Sequence, residues 1–155
     1  MNSSIKKGSL EDIKVNVKLK LSGLWTAVTL CYAYGDIVAF YQPGAIDGIL
    51  SGKMGPLGST TQELLLGVAI FMSVPCAMIF ISLIVKPKAN RVVNVMLGLI
   101  YTIVMVLTML MDPWDFYIYF GIIEVLFTGL IIWFAWNWPR VGEYKVSTIE
   151  AQSRV

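Results

Sequence analysis

The sequence contains no histidine. That absence removes ordinary haem ligation, most zinc sites and a Ser-His-Asp triad. Cysteine is scarce as well. Cys31 and Cys76 are the only two, and each lies inside an apolar run, where a free thiol packs as a small apolar group. The sequence gives no support for a disulfide between them. Charge is the third shortage: 14% of the residues are charged and 57% hydrophobic, whereas a soluble domain is about a quarter charged and half apolar. The net charge is only +2, and without a compact basic patch it gives no footing for nucleic-acid binding. No metal motif, phosphate loop or nucleophile–base pair is present, so neither a metal nor a cofactor is expected.

The missing charge has been taken out of four continuous blocks, at about 21–41, 63–85, 92–111 and 117–138. Each block approaches the roughly 20 apolar residues that carry a helix across about 30 Å of hydrocarbon. A soluble helical protein would show apolar stripes opposite charged faces, and these blocks have no charged faces. The expected fold is therefore all-α: a transmembrane four-helix bundle (21–138) between a cytoplasmic or interfacial arm (1–20) and a cytoplasmic tail (139–155). The chain is too short for a second domain beside it. The first run is too long for a signal-peptide core and follows a long polar arm, so it reads as an uncleaved span.

The remaining charge is sorted by side. Lys6, Lys7, Lys14, Lys18 and Lys20 precede the first span; Lys86, Lys88 and Arg91 follow the second; Arg140, Lys145 and Arg154 follow the fourth. Of the 12 basic residues, only Lys53 falls in a loop on the other side. The positive-inside rule then puts both termini in the cytoplasm. Alternation over 13–20 permits an extended segment at the lipid surface. The other reading is an irregular start whose end continues the first helix. In either case its lysines meet anionic headgroups. The loop from 42 to 62 is rich in glycine yet holds Ile46, Ile49, Leu50, Met54 and Leu57. A short surface helix at 45–51 over the outer mouth accounts for both features, as a mobile lid or as a passive interfacial segment. A tight third loop (112–116) makes the last two helices an antiparallel hairpin. Trp114, Phe116, Tyr117 and Tyr119 form an outer aromatic belt, and Trp133, Trp136 and Trp138 an inner one.

Three acids interrupt the spans: Asp36 near the outer end of the first, Glu63 at the start of the second, and Glu124 about two turns into the fourth. Charged groups in a span cost about 2.5–3.5 kcal/mol at its centre and mark function by default. All three fall in the outer half, and no basic side chain lies within the spans to pair with them. Water, polar neighbours, a bound cation or their own protons must satisfy them, and Glu124, the deepest, is the one expected to be neutral. Glu63 also reads simply as a cap of its helix N-terminus. Tyr117, Gly121, Glu124, Thr128 and Ala135 share one helical stripe; Asn94, Gly98, Tyr101, Met105, Thr108 and Asp112 share another. The first helix offers Trp25, Thr29, Tyr32 and Asp36. Convergence of these faces would make a polar interior, though small residues and hydroxyls also serve close helix packing. The candidate ligand-binding residues are Asp36, Glu124, Glu63, Tyr32, Tyr101, Asn94 and Thr128. Pro75 bends the second helix or is a tolerated kink, and it leaves the Phe71 carbonyl in need of another partner.

Several strings taken in order carry a resemblance: Asp36 before Pro43-Gly44, Glu63-Leu64-Leu65-Leu66, Pro75-Cys76-Ala77-Met78, Asn90-Arg91-Val92-Val93-Asn94, Glu124-Val125 and Trp133-Phe134-Ala135-Trp136-Asn137-Trp138. Over roughly 18–138 the chain resembles a family of small bacterial four-span proteins catalogued as a domain of unknown function, with an architecture similar to DoxX-type proteins. The resemblance implies a bacterial inner membrane and no particular activity. It also suggests that Asp36, Glu63, Asn94 and Glu124 belong to the shared pattern.

The leading functional expectation is a small integral membrane protein that binds a lipophilic or cationic small molecule in an outer-leaflet pocket lined by acids. Its partners would be the bilayer, a small-molecule or lipid ligand, and further copies of itself. A proton- or cation-coupled transporter or channel acting as an oligomer is the second reading. An accessory subunit of a membrane complex is the third. An intramembrane enzyme has only the acids and Tyr101 to support it.

Overall fold

A computed structural model describes residues 14–111 and 114–139. The chain is all-α, with five α-helices, one short 3-10 turn and no strand among the described residues. Helix α1 is Val17–Ala39, α2 Ala45–Leu50, α3 Gln62–Ile84, α4 Pro87–Met111 and α5 Asp115–Trp136, with the 3-10 turn at Gly55–Leu57. Three helices, α3, α4 and α5, are long and apolar enough to cross a membrane. With 23 residues α1 has the length, but Ser22, Thr26, Thr29, Tyr32, Tyr34 and Asp36 make it the most polar of the long helices. Residues 1–13 of the expected arm, the tail beyond 139 and Asp112 lie outside the described residues, and the last part of the arm, from Val17 on, belongs to α1.

Local chemistry sets the helix starts. Asn16 caps α1 by accepting the Lys18 backbone N–H on its side chain at 2.9 Å, which occupies one of the donors a helix N-terminus leaves unpaired. The alternating stretch is thus helical from Val17 on, because a lone strand would leave its backbone groups unpaired. At α3 the cap is Thr61, whose hydroxyl accepts the Leu64 N–H at 3.2 Å. Glu63 stands one residue inside that helix, fully in the open. Helix α2 occupies the place expected for a surface helix. It starts after Gly44, whose φ of +80° suits a residue without a Cβ. No residue of α2 is buried, and it packs on the 3-10 turn of its own loop.

The long helices pack in the order α3–α1–α5–α4. Helices α3 and α4 follow each other in sequence, with only Val85 and Lys86 between them, yet they touch little. Every buried residue of α3 (Pro75, Met78, Ser82) lies in its second half, so the first half of the α3–α4 side is loosely filled. The α4–α5 seam is the opposite case. A Cβ on Gly98 would sit 2.8 Å from Ile132 Cγ1, and one on Gly121 would collide with the Met109 side chain. Small residues there bring the two helices together, as in lipid-embedded bundles. Leu66, Ile70, Phe80, Met96, Ile103, Leu110, Ile122, Leu126 and Trp133 face outward. Such a surface is stable against acyl chains and not against water.

Candidate functional site

The interior has two unlike halves separated by aromatic rings. In the first half Asn94 is the hub. Its Oδ1 accepts the Trp25 Nε1–H at 2.7 Å and lies 3.4 Å from the Ser82 hydroxyl, while its Nδ2 donates to the Asn90 carbonyl at 2.9 Å and to Asn90 Oδ1 at 2.5 Å. Asn90 in turn donates to the Ser82 carbonyl at 2.5 Å. All four side chains are buried, and the network ties α1, α3 and α4 together near the α3–α4 turn.

The same end of the molecule is basic. Lys18 Nζ donates to the Leu83 carbonyl at 2.9 Å, one of the acceptors that the last turn of a helix leaves free. Lys20 Nζ lies 4.9 Å from the ring centre of Phe134, and the Arg91 guanidinium 5.1 Å from that of Trp136, within cation–π range. The start of α1, the end of α3, the start of α4 and the end of α5 therefore share one positively charged rim.

Above the network sits the aromatic layer. Tyr101 meets Trp25 edge-on with centroids 5.8 Å apart, stacks on Phe71 at 4.6 Å and leans on Tyr32 at 6.2 Å. The Tyr101 hydroxyl donates to the Phe71 carbonyl at 2.5 Å. That carbonyl is the one Pro75 deprives of its partner four residues on. A phenol on α4 thus replaces the missing backbone donor of α3, across the seam where the two helices otherwise touch little.

On the far side of this layer is a pocket of about 120 Å³, walled by all four long helices. Helix α1 supplies Tyr32, Gly35 and Asp36, and α5 supplies Tyr117, Phe120 and Glu124. Phe71 and Met72 of α3 face Val104, Met105 and Thr108 of α4, in the stretch where those helices are loosely packed. Glu124 is only 2% exposed, and its Oε2 has no hydrogen-bond partner among the described residues. Leaving such an oxygen unsatisfied costs about 1–3 kcal/mol, and more when it is charged. Asp36, an exposed residue, lines the same pocket as Glu124. Among the described residues no lysine or arginine lines the pocket.

Of the seven residues singled out from the sequence, Asp36, Glu124 and Tyr32 meet in this pocket. The other four lie elsewhere. Asn94 belongs to the network below the aromatic layer, and Tyr101 forms that layer. The Thr128 hydroxyl lies 2.7 Å from that of Thr102, a cross-helix pair in the α4–α5 seam, with the carbonyls of Glu124 and Gly98 each one turn back. Glu63 is exposed in the first turn of α3. Sequence reasoning did not select Phe71, Met72, Val104 or Phe120. They belong to no polar stripe, although the Phe71 carbonyl was marked by the position of Pro75. Cys31 and Cys76 are both free. Neither is fully buried: Cys31 is half-buried and Cys76 exposed. Among the described residues no group of three His, Cys, Asp or Glu side chains could hold a metal ion.

The model of a family described as "Family of unknown function (DUF6326)" matches residues 10–143 of the chain. No curated protein and no solved structure matches it.

Proposed function

We propose, from the premise that the chain belongs to that family, a four-span protein of the bacterial inner membrane. Both termini are cytoplasmic, and the pocket in the outer half binds a lipophilic or cationic small molecule. Two observations support α1 as the fourth span. Its first turn reaches the last turn of α3 through Lys18 and Leu83, and its last turns share the pocket with the first turns of α5. It therefore runs the same thickness as helices that are apolar enough to cross. Its outer face, with Leu30, Tyr34 and Ile37 exposed, suits lipid. The basic rim made by Lys18, Lys20 and Arg91 supports a cytoplasmic placement of that end.

This topology has a direct check. In a background with Cys31 and Cys76 replaced by alanine, Lys53→Cys in intact cells should react with a membrane-impermeant maleimide. Lys88→Cys should react only after permeabilisation. Equal labelling of both in intact cells would reject the arrangement.

The observation that carries the binding reading is a buried acid, Glu124, that lines a pocket and whose Oε2 has no partner among the described residues. Natural interiors leave few such atoms, and each one asks for an occupant or a role. Binding is favoured over transport because the rings of Trp25, Tyr101, Phe71 and Tyr32 stand between the pocket and the basic end. Beyond them the Asn94 network is satisfied from within the protein. Binding is favoured over a purely accessory role because the tight glycines, Gly98 and Gly121, are used inside the α4–α5 seam.

The test is a thermal-shift panel of small amines and small neutral alcohols on the purified full chain in lipid nanodiscs. Val104→Trp serves as the control, since it fills the pocket without touching a charge. At least one class should stabilise the native chain in proportion to its occupancy and leave Val104→Trp unmoved. A panel in which every compound acts equally on both, or on neither, removes the binding reading.

A further inference from the structure

We propose that the pocket selects a compact organic ammonium ion, an amine or quaternary ammonium of about six heavy atoms. The inference rests on the binding reading above and narrows its ligand to one chemical class.

Charge points first to a cation. Glu124 is almost wholly buried, with Oε2 unpartnered, and Asp36 stands at the rim of the same pocket. Both are acids, and among the described residues no basic side chain lines the walls to neutralise them. A neutral apolar guest would fill space but leave the Glu124 oxygen as costly as before. An anion would add repulsion. Only a guest that carries positive charge or donates a hydrogen bond answers that oxygen.

The walls decide which cation. A bare calcium ion takes six to eight oxygen ligands, and magnesium needs an octahedron of them. Among the described residues no group of three His, Cys, Asp or Glu side chains could hold such an ion, and the two carboxyls of the pocket stand among rings and methionines. The lining instead contains Tyr32, Phe71, Tyr117 and Phe120, spread over α1, α3 and α5. Aromatic faces attract a diffuse organic cation by about 0.5–2 kcal/mol each and are the usual walls of quaternary-ammonium sites. The volume agrees. About 120 Å³ is a little below the 150 Å³ or so of an apolar cavity that accepts benzene, which suits a trimethylammonium-sized body and excludes a long rigid one. In this arrangement the ammonium sits between the rings with its charge toward Glu124, and any polar tail leaves past Asp36.

The experiment compares choline and tetramethylammonium with 3,3-dimethylbutan-1-ol, the neutral carbon isostere of choline, and with potassium. Binding to the full chain in nanodiscs is measured by titration calorimetry at constant ionic strength. The ammonium ions should bind at least about 10-fold more tightly than the isostere, the difference that 1.4 kcal/mol of charge recognition supplies. Glu124→Gln should remove that advantage. Phe120→Leu, which keeps apolar bulk but removes a ring, should weaken the ammonium ions by about 3-fold and leave the isostere unchanged. If Glu124→Gln does not fold, Asp36→Asn at the exposed rim carries the same comparison with a smaller loss. Equal binding of choline and its isostere, blocked by Val104→Trp, overturns the ammonium assignment while the pocket still binds ligands. Displacement by potassium at equal concentration also overturns it, in favour of an inorganic cation. No binding of any probe removes both this assignment and the binding reading.

Discussion

Asn94→Leu should destabilise the folded chain by about 2–4 kcal/mol, read as reversible unfolding in mixed micelles. The side chain is nearly the same size, so no cavity is created; the loss comes from hydrogen bonds. The Trp25 indole N–H, the Ser82 hydroxyl and Asn90 Oδ1 all turn to Asn94, and each becomes a buried polar group with a lost partner. Single cross-helix hydrogen bonds in membrane proteins are worth about 0.6 kcal/mol on average and up to about 1.7. Three that fail together, two of them on groups with little else to reach, give the stated range. A double-mutant cycle with Trp25→Phe separates the network from simple packing. Once the indole N–H is gone, Asn94→Leu should cost about 1 kcal/mol less than in the native background. Additive losses would mean that the 2.7 Å contact between Trp25 and Asn94 contributes nothing, and that Asn94 acts through something other than this network.

Tyr101→Phe should cost about 1–2 kcal/mol, and Pro75→Ala should largely cancel that loss. The phenol supplies the Phe71 carbonyl with the donor that Pro75 cannot give. With phenylalanine at 101 the ring keeps its stacking on Phe71 and its edge contact with Trp25, but the Phe71 carbonyl loses its donor inside the bundle. Alanine at 75 restores a backbone N–H four residues beyond Phe71, so the helix can satisfy itself. Unfolding of the two single variants and of the double variant measures the coupling. The double variant should be more stable than Tyr101→Phe alone. If the two losses simply add, the hydroxyl is not a substitute for the proline's missing donor, and the Tyr101 contact is packing alone. The pair also bears on function, because Phe71 forms part of the pocket wall. A bend released at Pro75 should change ligand affinity even where stability is regained.

The stripes written into α4 and α5 were legible before any coordinates. Asn94, Gly98, Tyr101 and Met105 on one helix, and Gly121, Glu124, Thr128 and Ala135 on the other, are indeed the buried faces. A helix surrounded by lipid inverts the usual pattern: apolar residues go outward, and small or polar ones mark the inside. The surface helix α2 was legible from apolar residues set among glycines. The division of labour within the stripes was not. Polarity alone does not separate a residue that serves a ligand from one that serves a neighbouring helix. Tyr101, Asn94 and Thr128 all read as candidates for binding, and each is satisfied by another part of the protein. Glu63 read as a cap, yet the capping oxygen is that of Thr61, which the chain presents at the right distance from the Leu64 N–H.

By itself the sequence determined the helical class, the apolar lengths and the sorting of basic charge. These follow from local composition and from the backbone's need to pair its own polar groups in hydrocarbon. The tertiary structure alone decided the neighbour order α3–α1–α5–α4 and the loose filling of the α3–α4 side along the first half of α3. Those two features bring Asp36 and Glu124 to one pocket, where Glu124 Oε2 is buried without a partner among the described residues. Helices in lipid associate through side-chain fit and cross-helix hydrogen bonds, and such fits join residues like Trp25 and Asn94, 69 positions apart, a distance over which no local pattern in the chain reaches.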